Sequence, residues 1–536
     1  LKGEETAVSI AWTGHWITNE IDGFFKLNLM KDWEDFTEAT RLFGVPGQNM
    51  IYADVHGNIG WRAAVYIPLR EKGESLIPRP GHDPTYDWFG KVPFVEMPYL
   101  LNPEQGYIVT ANNKIIDNTF PYYISGLWAD PSRAQRILER VQSLDSATVK
   151  DMKSIQLDVT SRFAREITPY FLATETGTER KNFKKAYGLL KNWKGDESIK
   201  SAATLLFHSA INKLIRNIYG DEMALLGDHY LEAFIGLKYL HSRNLRDILK
   251  KDKSSWFDDV RTEKFVESRD EILKRSLEEA VNELEERVGP NPNSWEWGNE
   301  HSLTHPHVLG KIKILNWLFK FNVGPFLSGG SDKTPNAGGY SFNKPFKQTA
   351  GASMRRIVDF SNLNETNMIL PTGQSGLYNS PHYRDQANLY HFGKYRITTF
   401  DEKFIMGGNG IPYGNMLRGY PDNSIGPLTT SGRPIGGSGM IKFTSEFRIP
   451  FSENPVVYGL VFGEMGNVWD TLDMTEPFGL TRTGPLSLKR SAGVGFRFFM
   501  PMLGMLGFDM GYGFDDITGI GKPQGWTYTI TFGQPF

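Results

Sequence analysis

Residues 441–449 read Ile-Lys-Phe-Thr-Ser-Glu-Phe-Arg-Ile, and this stretch sets the pattern for the C-terminal part of the chain. Apart from Ser445, its odd-numbered positions are apolar and its even-numbered positions are polar or charged. Successive side chains of a strand point to opposite faces, so this alternation predicts a strand with one apolar and one polar face. Similar strands are predicted at 456–464, 492–498, 506–512 and 526–532.

These predicted strands favour an outer-membrane β-barrel. They are about ten residues long, follow one another without helices and carry aromatic residues near their ends, as such barrels require. The alternation alone also allows a soluble sandwich, with its apolar face on a core. Five strands are fewer than the roughly eight of the smallest bacterial barrels, so the predicted barrel is incomplete. Unpaired strand edges are costly in lipid, and further strands would have to come from another chain.

Before residue 401 the composition changes along the chain. Residues 1 to about 132 are mixed, with strand-like runs and Pro/Gly turns, and residues 291–400 return to turns, aromatic residues and short strands. Residues 54–60 predict a strand, a tight turn and a return strand. The region from about 133 to 290 is predicted to be helical, and its best case is a helix over 268–288. There Ser268 and Glu271 form a capping box, and Gly289-Pro290 ends the helix. The apolar stripe of that helix is interpreted as core packing.

Composition excludes several classes of function. The 536 residues carry 59 Lys and Arg against 61 Asp and Glu, a net charge of -2 that argues against nucleic acid as the main partner. There are 0 cysteines, which excludes disulfides, cysteine-ligated metals and a thiol nucleophile. No apolar stretch approaches the roughly 20 residues of a transmembrane helix. Because the chain starts at Leu1 without a methionine, we expect a processed chain or a fragment.

Short catalytic motifs are mostly missing. The sequence has no G-x-S-x-G, H-E-x-x-H or P-loop pattern. His301, His305 and His307 could bind a metal, but Pro306 interrupts any helix and no acidic partner has an obvious spacing. We therefore predict no metal site. Three clustered lysines are interpreted as a solvated face: Lys250, Lys251 and Lys253.

Longer segments carry more information. Leu101-Asn-Pro-Glu-Gln-Gly-Tyr-Ile-Val-Thr-Ala-Asn-Asn113, preceded by Tyr86-Asp-Trp-Phe-Gly-Lys-Val-Pro-Phe94, strongly resembles the penicillin-acylase family of N-terminal-nucleophile amidohydrolases. The resemblance covers about residues 1–400. Further blocks agree with the family and follow its order: 52–60, 156–158, 295–298, 336–340, 371–376 and 380–386.

The resemblance implies an α+β fold with a four-layer αββα core and a helical insertion at about 133–290. In the family, a Ser at the start of the β chain attacks the amide carbonyl, and its own α-amine serves as base. Asn112 matches a family residue that donates a hydrogen bond to the oxyanion. Arg133 matches the arginine that supports this site, although the nearby Arg136 could fill the same role.

The match begins partway through the family's β chain, at about residues 11–13. The nucleophilic Ser and the second oxyanion donor therefore lie upstream of Leu1, and the core is incomplete. The family's calcium ligands are not recognisable, so no metal or other cofactor is predicted. We expect this chain to hydrolyse no amide alone and to need a missing N-terminal acylase segment as partner. The implied substrate is a small acyl amide, and penicillins, N-acyl homoserine lactones and other acyl amides all stay open.

A second resemblance starts near residue 401. Leu417-Arg418-Gly419-Tyr420 looks like the Arg-Gly-aromatic loop of BamA/TamA-type outer-membrane insertases. It implies that Arg418 folds into the barrel lumen and that the terminal strand, ending at Phe536, is the targeting signal. Other segments agree with the resemblance: 425–427, 435–437, 466–470, 490–495 and 532–536.

Together these observations predict a penicillin-acylase-like domain over 1–400 joined to an outer-membrane barrel segment over 401–536. The expected location is the periplasm and outer membrane of a Gram-negative-type bacterium. One alternative is a BamA-type assembly or translocation component. Another is a catalytically dead binding domain tethered to the outer membrane. The two segments abut almost without a linker, so a true fusion and two joined reading frames are both open.

Overall fold

The computed structural model forms two units, which are described separately. The first unit comprises Leu1–His305 and Gly324–Ser353, and the second comprises Pro306–Val323 and Met354–Phe536. The residues that the structure describes are 7–74, 76–174, 180–237, 239–399, 406–407, 416–427, 436–437, 439–469, 487–500, 504–517 and 521–532.

The first unit opens with two helices, α1 (Glu20–Leu29) and α2 (Trp33–Thr40), in a region where the sequence had suggested strands and turns. The predicted hairpin at 54–60 is confirmed, because Asp54 accepts hydrogen bonds from the backbone of the turn and Gly57 takes a φ of 89°. The sheet order is β1-β2-β5, with β3 and β4 paired beside it. Their bounds are β1 Gln48–Ala53, β2 Ile59–Ala64, β3 Pro68–Arg70, β4 Trp88–Lys91 and β5 Tyr99–Leu101.

The middle of the first unit is helical, as predicted. Its helices bury a large apolar core that includes Trp295 and Trp297. The capping box of the last helix is present, since Ser268 and Glu271 each bond the other's backbone N–H. The helices are α3 Ser132–Gln142, α4 Val149–Gln156, α5 Arg162–Ala173, α6 Lys181–Asn192, α7 Ala202–Leu226, α8 Asp228–Gly236, α9 Leu240–Ile248 and α10 Arg269–Arg287.

Short elements complete the first unit and start the second. In the second unit, β10, β11 and β12 form one antiparallel sheet. The remaining elements before residue 400 are α11 Trp297–Glu300, β6 Ser302–His305, α12 Lys313–Phe319, β7 Val323–Leu327, β8 Gly338–Gly339, β9 Ala350–Gly351, β10 Arg355–Ile357, β11 Thr366–Ile369, α13 Ala387–His391 and β12 Arg396–Thr398.

The C-terminal part of the second unit is a five-stranded antiparallel sheet in sequence order. All five predicted strands are confirmed. The outer strands of the described sheet are the first and the last, so barrel closure is not seen. The strands are β13 Gly439–Glu453, β14 Val456–Trp469, β15 Lys489–Met500, β16 Gly504–Gly513 and β17 Gly525–Phe532.

One face of this sheet is exposed and apolar, whereas the other is buried and carries charged residues together with Leu460 and Phe462 of β14. Phe447 on β13 is 70% exposed and Tyr528 on β17 is 79% exposed, whereas Glu464 on β14 and Asp509 on β16 are each 3% exposed. Cross-strand register places apolar side chains together on the open face, as in the row Phe496–Phe508–Ile530. Separately, no helix among the described residues is long and apolar enough to cross a membrane.

Candidate active site

The loop that carries Asn112 is tied to the β1–β2 hairpin at its start. Asn102 follows β5 with a φ of 46°, in the left-handed region that Asn tolerates. Its side-chain oxygen accepts from the Ile59 N–H at 2.9 Å, and its amide donates to the side-chain oxygen of Asn58 at 2.9 Å. The hairpin therefore fixes the point where this loop leaves the sheet.

Asn112 is held in a defined orientation at the other end of the loop. Its φ is 61°, again left-handed, and its carbonyl accepts from the Ala129 N–H at 3.0 Å. Arg133 Nη2 donates to the Asn112 Oδ1 at 2.8 Å and to the Ala111 carbonyl at 3.0 Å. Because the Oδ1 of this exposed residue is already engaged with a cation, its Nδ2 is the group left to donate outward.

Arg133 lies in the first turn of α3, and that helix is fixed at both ends. The Ser132 N–H donates to Asp130 Oδ1 at 2.9 Å, and Arg246 donates to Ser132 Oγ at 2.7 Å. At the far end, Gln142 Nε2 donates to the hydroxyl of Tyr107 at 2.9 Å. The helix therefore braces the same loop at Tyr107 and, through Arg133, at Asn112.

Arg136, the alternative to Arg133, has different partners. It donates from Nε and Nη2 to Asp158 Oδ2 at 3.0 and 2.7 Å, and Arg140 reaches the same oxygen at 2.8 Å. Burial acts to raise the pKa of Asp158, but the bonds from Arg136 and the Thr160 N–H outweigh it and lower that pKa. The structure thus brings Asn112 together with Arg133, while Arg136 belongs to a buried ion-pair network.

His301 has a structural setting. Its ring stacks on that of Trp297 with centroids 4.5 Å apart, and its Nδ1 lies 2.6 Å from the Phe346 carbonyl oxygen. Burial lowers the pKa of His301 to about 4. Within the described part of the chain, no group of three or more His, Asp or Glu side chains could hold a metal ion.

Arg418, the predicted loop arginine of the C-terminal segment, is fully buried on the polar face of the sheet. It donates from Nε and Nη2 to Glu464 Oε1 at 3.1 and 2.9 Å, and its Nη2 also lies 2.7 Å from Glu446. Asp509 is 3.7 Å from its Nη1, and the guanidinium sits 3.7 Å from the centroid of the Phe462 ring. The Arg418 loop and strands β13, β14 and β16 therefore each contribute a charged residue to one buried cluster.

Glycines on β16 allow the Arg418 loop to approach this face closely. A Cβ on Gly511 would lie 2.8 Å from the Gly419 backbone, and one on Gly513 would lie 2.5 Å from it. Neither Glu464 nor Asp509 was predicted from the sequence as a partner of Arg418. Asp509 alternates with the apolar residues of β16, and that alternation was its signal. Glu464 shares its face of β14 with Tyr458, Leu460 and Phe462, so the pattern gave no signal for it. Phe536 lies outside the described residues.

The fold and these contacts define an α+β chain whose N-terminal part carries the braced Asn112 loop and whose C-terminal part contains an antiparallel sheet. The penicillin amidase family model matches residues 1–406, and the chain belongs to this family. The Omp85 superfamily domain model matches residues 351–534. The two recognised resemblances are thus both confirmed, and the two matches overlap over residues 351–406.

Individual relatives agree with the family assignment. An acyl-homoserine lactone acylase QuiP of Pseudomonas fluorescens is 32% identical over 381 residues, covering 68% of this chain and 45% of its own length. Penicillin acylase 2 proenzyme of a Pseudomonas species is 26% identical over 357 residues, with 65% and 43% covered. A solved thermostable penicillin G acylase from Alcaligenes faecalis matches with 19% identity and a TM-score of 0.49, covering 71% of this chain and 69% of its own. The chain spans somewhat less than half the length of these two curated relatives.

Proposed function

We propose that residues 1–400 are part of an N-terminal-nucleophile amidohydrolase with a four-layer αββα core. In this proposal the core is completed by a polypeptide segment outside this chain, which also brings the Ser nucleophile. The observation that carries the proposal is the bond from Arg133 to Asn112, because it leaves the Asn112 amide as a fixed donor.

The reaction follows from that geometry. The Ser Oγ forms a bond to the amide carbonyl carbon while its proton passes to the free α-amine of the same Ser. Asn112 Nδ2 donates to the oxygen that becomes negative, and a neutral amide does so without competing for that proton. The C–N bond then breaks, the proton goes to the leaving amine, and water hydrolyses the acyl-enzyme ester.

The proposed substrate is a small linear acyl amide. Relatives whose names record activity on acyl-homoserine lactones or penicillins favour these two classes as the first candidates. Both are amides with an apolar acyl group on one side and a polar amine-bearing part on the other. The Asn112 donor contacts only the shared carbonyl, so the acyl preference depends on the completing segment.

The test is complementation. The 536-residue chain is expressed alone and together with a family segment that begins at a free Ser, and release of amine from an N-acyl homoserine lactone and from phenylacetyl amides is measured. We expect no turnover by the chain alone and turnover by the complex. Turnover by the chain alone would overturn the proposal that the nucleophile comes from outside. A folded complex that binds acyl amide without turnover would instead support the dead binding domain.

We further infer that residues 401–536 are an outer-membrane barrel segment, which would place the acylase part in the periplasm. The supporting observation is the sheet with apolar residues exposed and Glu464, Asp509 and Arg418 buried, an arrangement suited to lipid outside and a polar interior. Further strands from another chain would pair with the edges of β13 and β17. Recovery of the full chain in soluble periplasmic fractions, with none in outer membranes, would contradict this inference.

A further inference from the structure

Helix α12, in the part of the chain matched by the acylase family, presents apolar side chains outward. Ile314, Trp317 and Leu318 are 65%, 77% and 55% exposed. Their spacing of three and four residues places them on one face of the helix. Ile312 and Val308, just before the helix, are 51% and 59% exposed and extend the same apolar surface.

The opposite side of α12 is held firmly. Asn316 Oδ1 accepts from the Asn322 N–H at 2.9 Å, and Phe319 packs edge-on against Tyr378 with ring centroids 5.5 Å apart. After the helix, Arg384 donates to the Lys320 carbonyl at 2.7 Å. The outward face is therefore a supported platform and not the result of a frayed end.

The charged residues of the segment that carries this platform are all positive. Lys311, Lys313 and Lys320 flank the helix, each of them exposed, and the sequence from 301 to 331 contains no Asp or Glu. Within the part of the chain that the structure describes, none of the three lysines has an ion-pair partner. A tryptophan-bearing apolar face flanked by unpaired lysines is the combination that binds the interface of an anionic bilayer.

We propose that the α12 platform, defined as residues 308–320, docks on an anionic phospholipid surface. Ile314, Trp317 and Leu318 would enter the acyl-chain boundary, while the three lysines would lie at the headgroups. A hydrophobic pocket of a partner protein would satisfy the apolar face alone, whereas three lysines without an ion-pair partner among the described residues favour phosphate groups. The proposal requires neither amide hydrolysis nor insertion of the sheet.

The experiment uses the full chain and a site-specific probe. Because the chain has 0 cysteines, Leu318→Cys can carry a single environment-sensitive fluorophore. The probe is read with vesicles of phosphatidylethanolamine plus phosphatidylglycerol and with vesicles of phosphatidylcholine alone. We expect a blue shift and at least about tenfold stronger partitioning with the anionic vesicles, weakening as salt rises.

Matched controls separate this platform from the rest of the molecule. Lys311→Glu, Lys313→Glu and Lys320→Glu combined should abolish the preference for anionic vesicles. The same triple change at Lys250, Lys251 and Lys253, another exposed lysine cluster, should leave it intact. Each triple variant changes net charge by the same amount, so the comparison isolates position.

Two results would overturn the proposal. One is a probe at Leu318→Cys that stays unshifted while a probe at Phe447→Cys on β13 responds, since lipid would then contact only the sheet. The other is a 318 probe that shifts on addition of the completing acylase segment and not on addition of vesicles. Circular dichroism of each variant confirms that it is folded, and neither result bears on the hydrolysis assay.

Discussion

Arg133 Nη2 lies 2.8 Å from the side-chain oxygen of Asn112 and, in donating to it, determines which end of that amide faces outward. An unsupported Asn side chain can rotate and present either its oxygen or its nitrogen. A charged donor on Oδ1 removes that choice, because the reversed amide would place two donors against each other. The pair is thus an oriented hydrogen-bond donor at the end of a braced loop.

The first prediction concerns Asn112 in the complemented enzyme. Asn112→Gly removes the donor and keeps the left-handed backbone that Ala would strain. We expect kcat to fall about 100- to 1000-fold with little change in KM. Steady-state kinetics on one acyl amide provide the measurement. An unchanged kcat would exclude Asn112 as an oxyanion donor.

The second prediction concerns Arg133, which acts through Asn112. Arg133→Met should lower kcat by up to about 100-fold, because the amide loses its fixed orientation. Arg162→Met is the matched control, since Arg162 is a more exposed arginine whose ion pair is with Glu139 at 3.3 Å. The double variant Arg133→Met and Asn112→Gly should have a kcat only slightly lower than that of Asn112→Gly alone, because Arg133 acts through Asn112. Additive losses would contradict the positioning role.

The third prediction concerns the stability of the α3 region. Asp158→Asn leaves the guanidinium of Arg136, whose side chain is 12% exposed, without its main counter-charge. We expect the free energy of unfolding to drop by about 3 kcal/mol. Asp247→Asn is the control, because its pair with Lys250 is exposed and contributes little. Urea titration followed by circular dichroism compares the free energies of unfolding of the two variants. Equal losses would refute the conclusion that Asp158 stabilises the buried Arg136.

The fourth prediction is a pH dependence from His301. Its pKa is lowered by burial from 6.5 to about 4, so the unfolded state takes up a proton first as pH falls. Above pH 6.5 the ring is neutral in both the folded and the unfolded state, so its full contribution to the free energy of unfolding is present. Between pH 6.5 and 4 the unfolded state alone takes up the proton, and the free energy of unfolding falls by about 3 kcal/mol. His301→Gln should flatten the unfolding profile in that window, and His82→Gln, at an exposed site, should not. Parallel profiles for wild type and His301→Gln would disprove the effect.

The fifth prediction concerns the buried charge cluster of the sheet. Arg418→Ala leaves the buried Glu464 and its neighbour Glu446 without their shared cation, while Asp509 keeps its ion pair with Arg497. We expect a loss of about 3–5 kcal/mol, seen as faster proteolysis of the 439–532 region. Arg448→Ala, at a 46% exposed side chain that also pairs with Glu446, should have a far smaller effect. Equal rates of proteolysis for Arg418→Ala and Arg448→Ala would contradict the prediction that the buried charge cluster stabilises the sheet.

Local patterns allowed much of this fold to be predicted. Period-two alternation identified the five C-terminal strands, and the Ser268–Glu271 capping box located the start of α10, because both signals arise from neighbouring residues. Helices α1 and α2 were missed. Their apolar residues are partly exposed and lie among turn-like residues, so the helical period is weak there.

The sequence by itself determined the family, the five strands of the C-terminal sheet and the candidates Asn112 and Arg133. It left the choice between Arg133 and Arg136 open, because residues three apart lie on the same side of a helix and either could reach the loop. Only the tertiary structure decided that Arg133 contacts Asn112 while Arg136 contacts Asp158, and that Arg418 meets Glu464 from another strand. Such pairings join residues far apart in sequence, and their geometry depends on how whole elements pack and not on any local pattern.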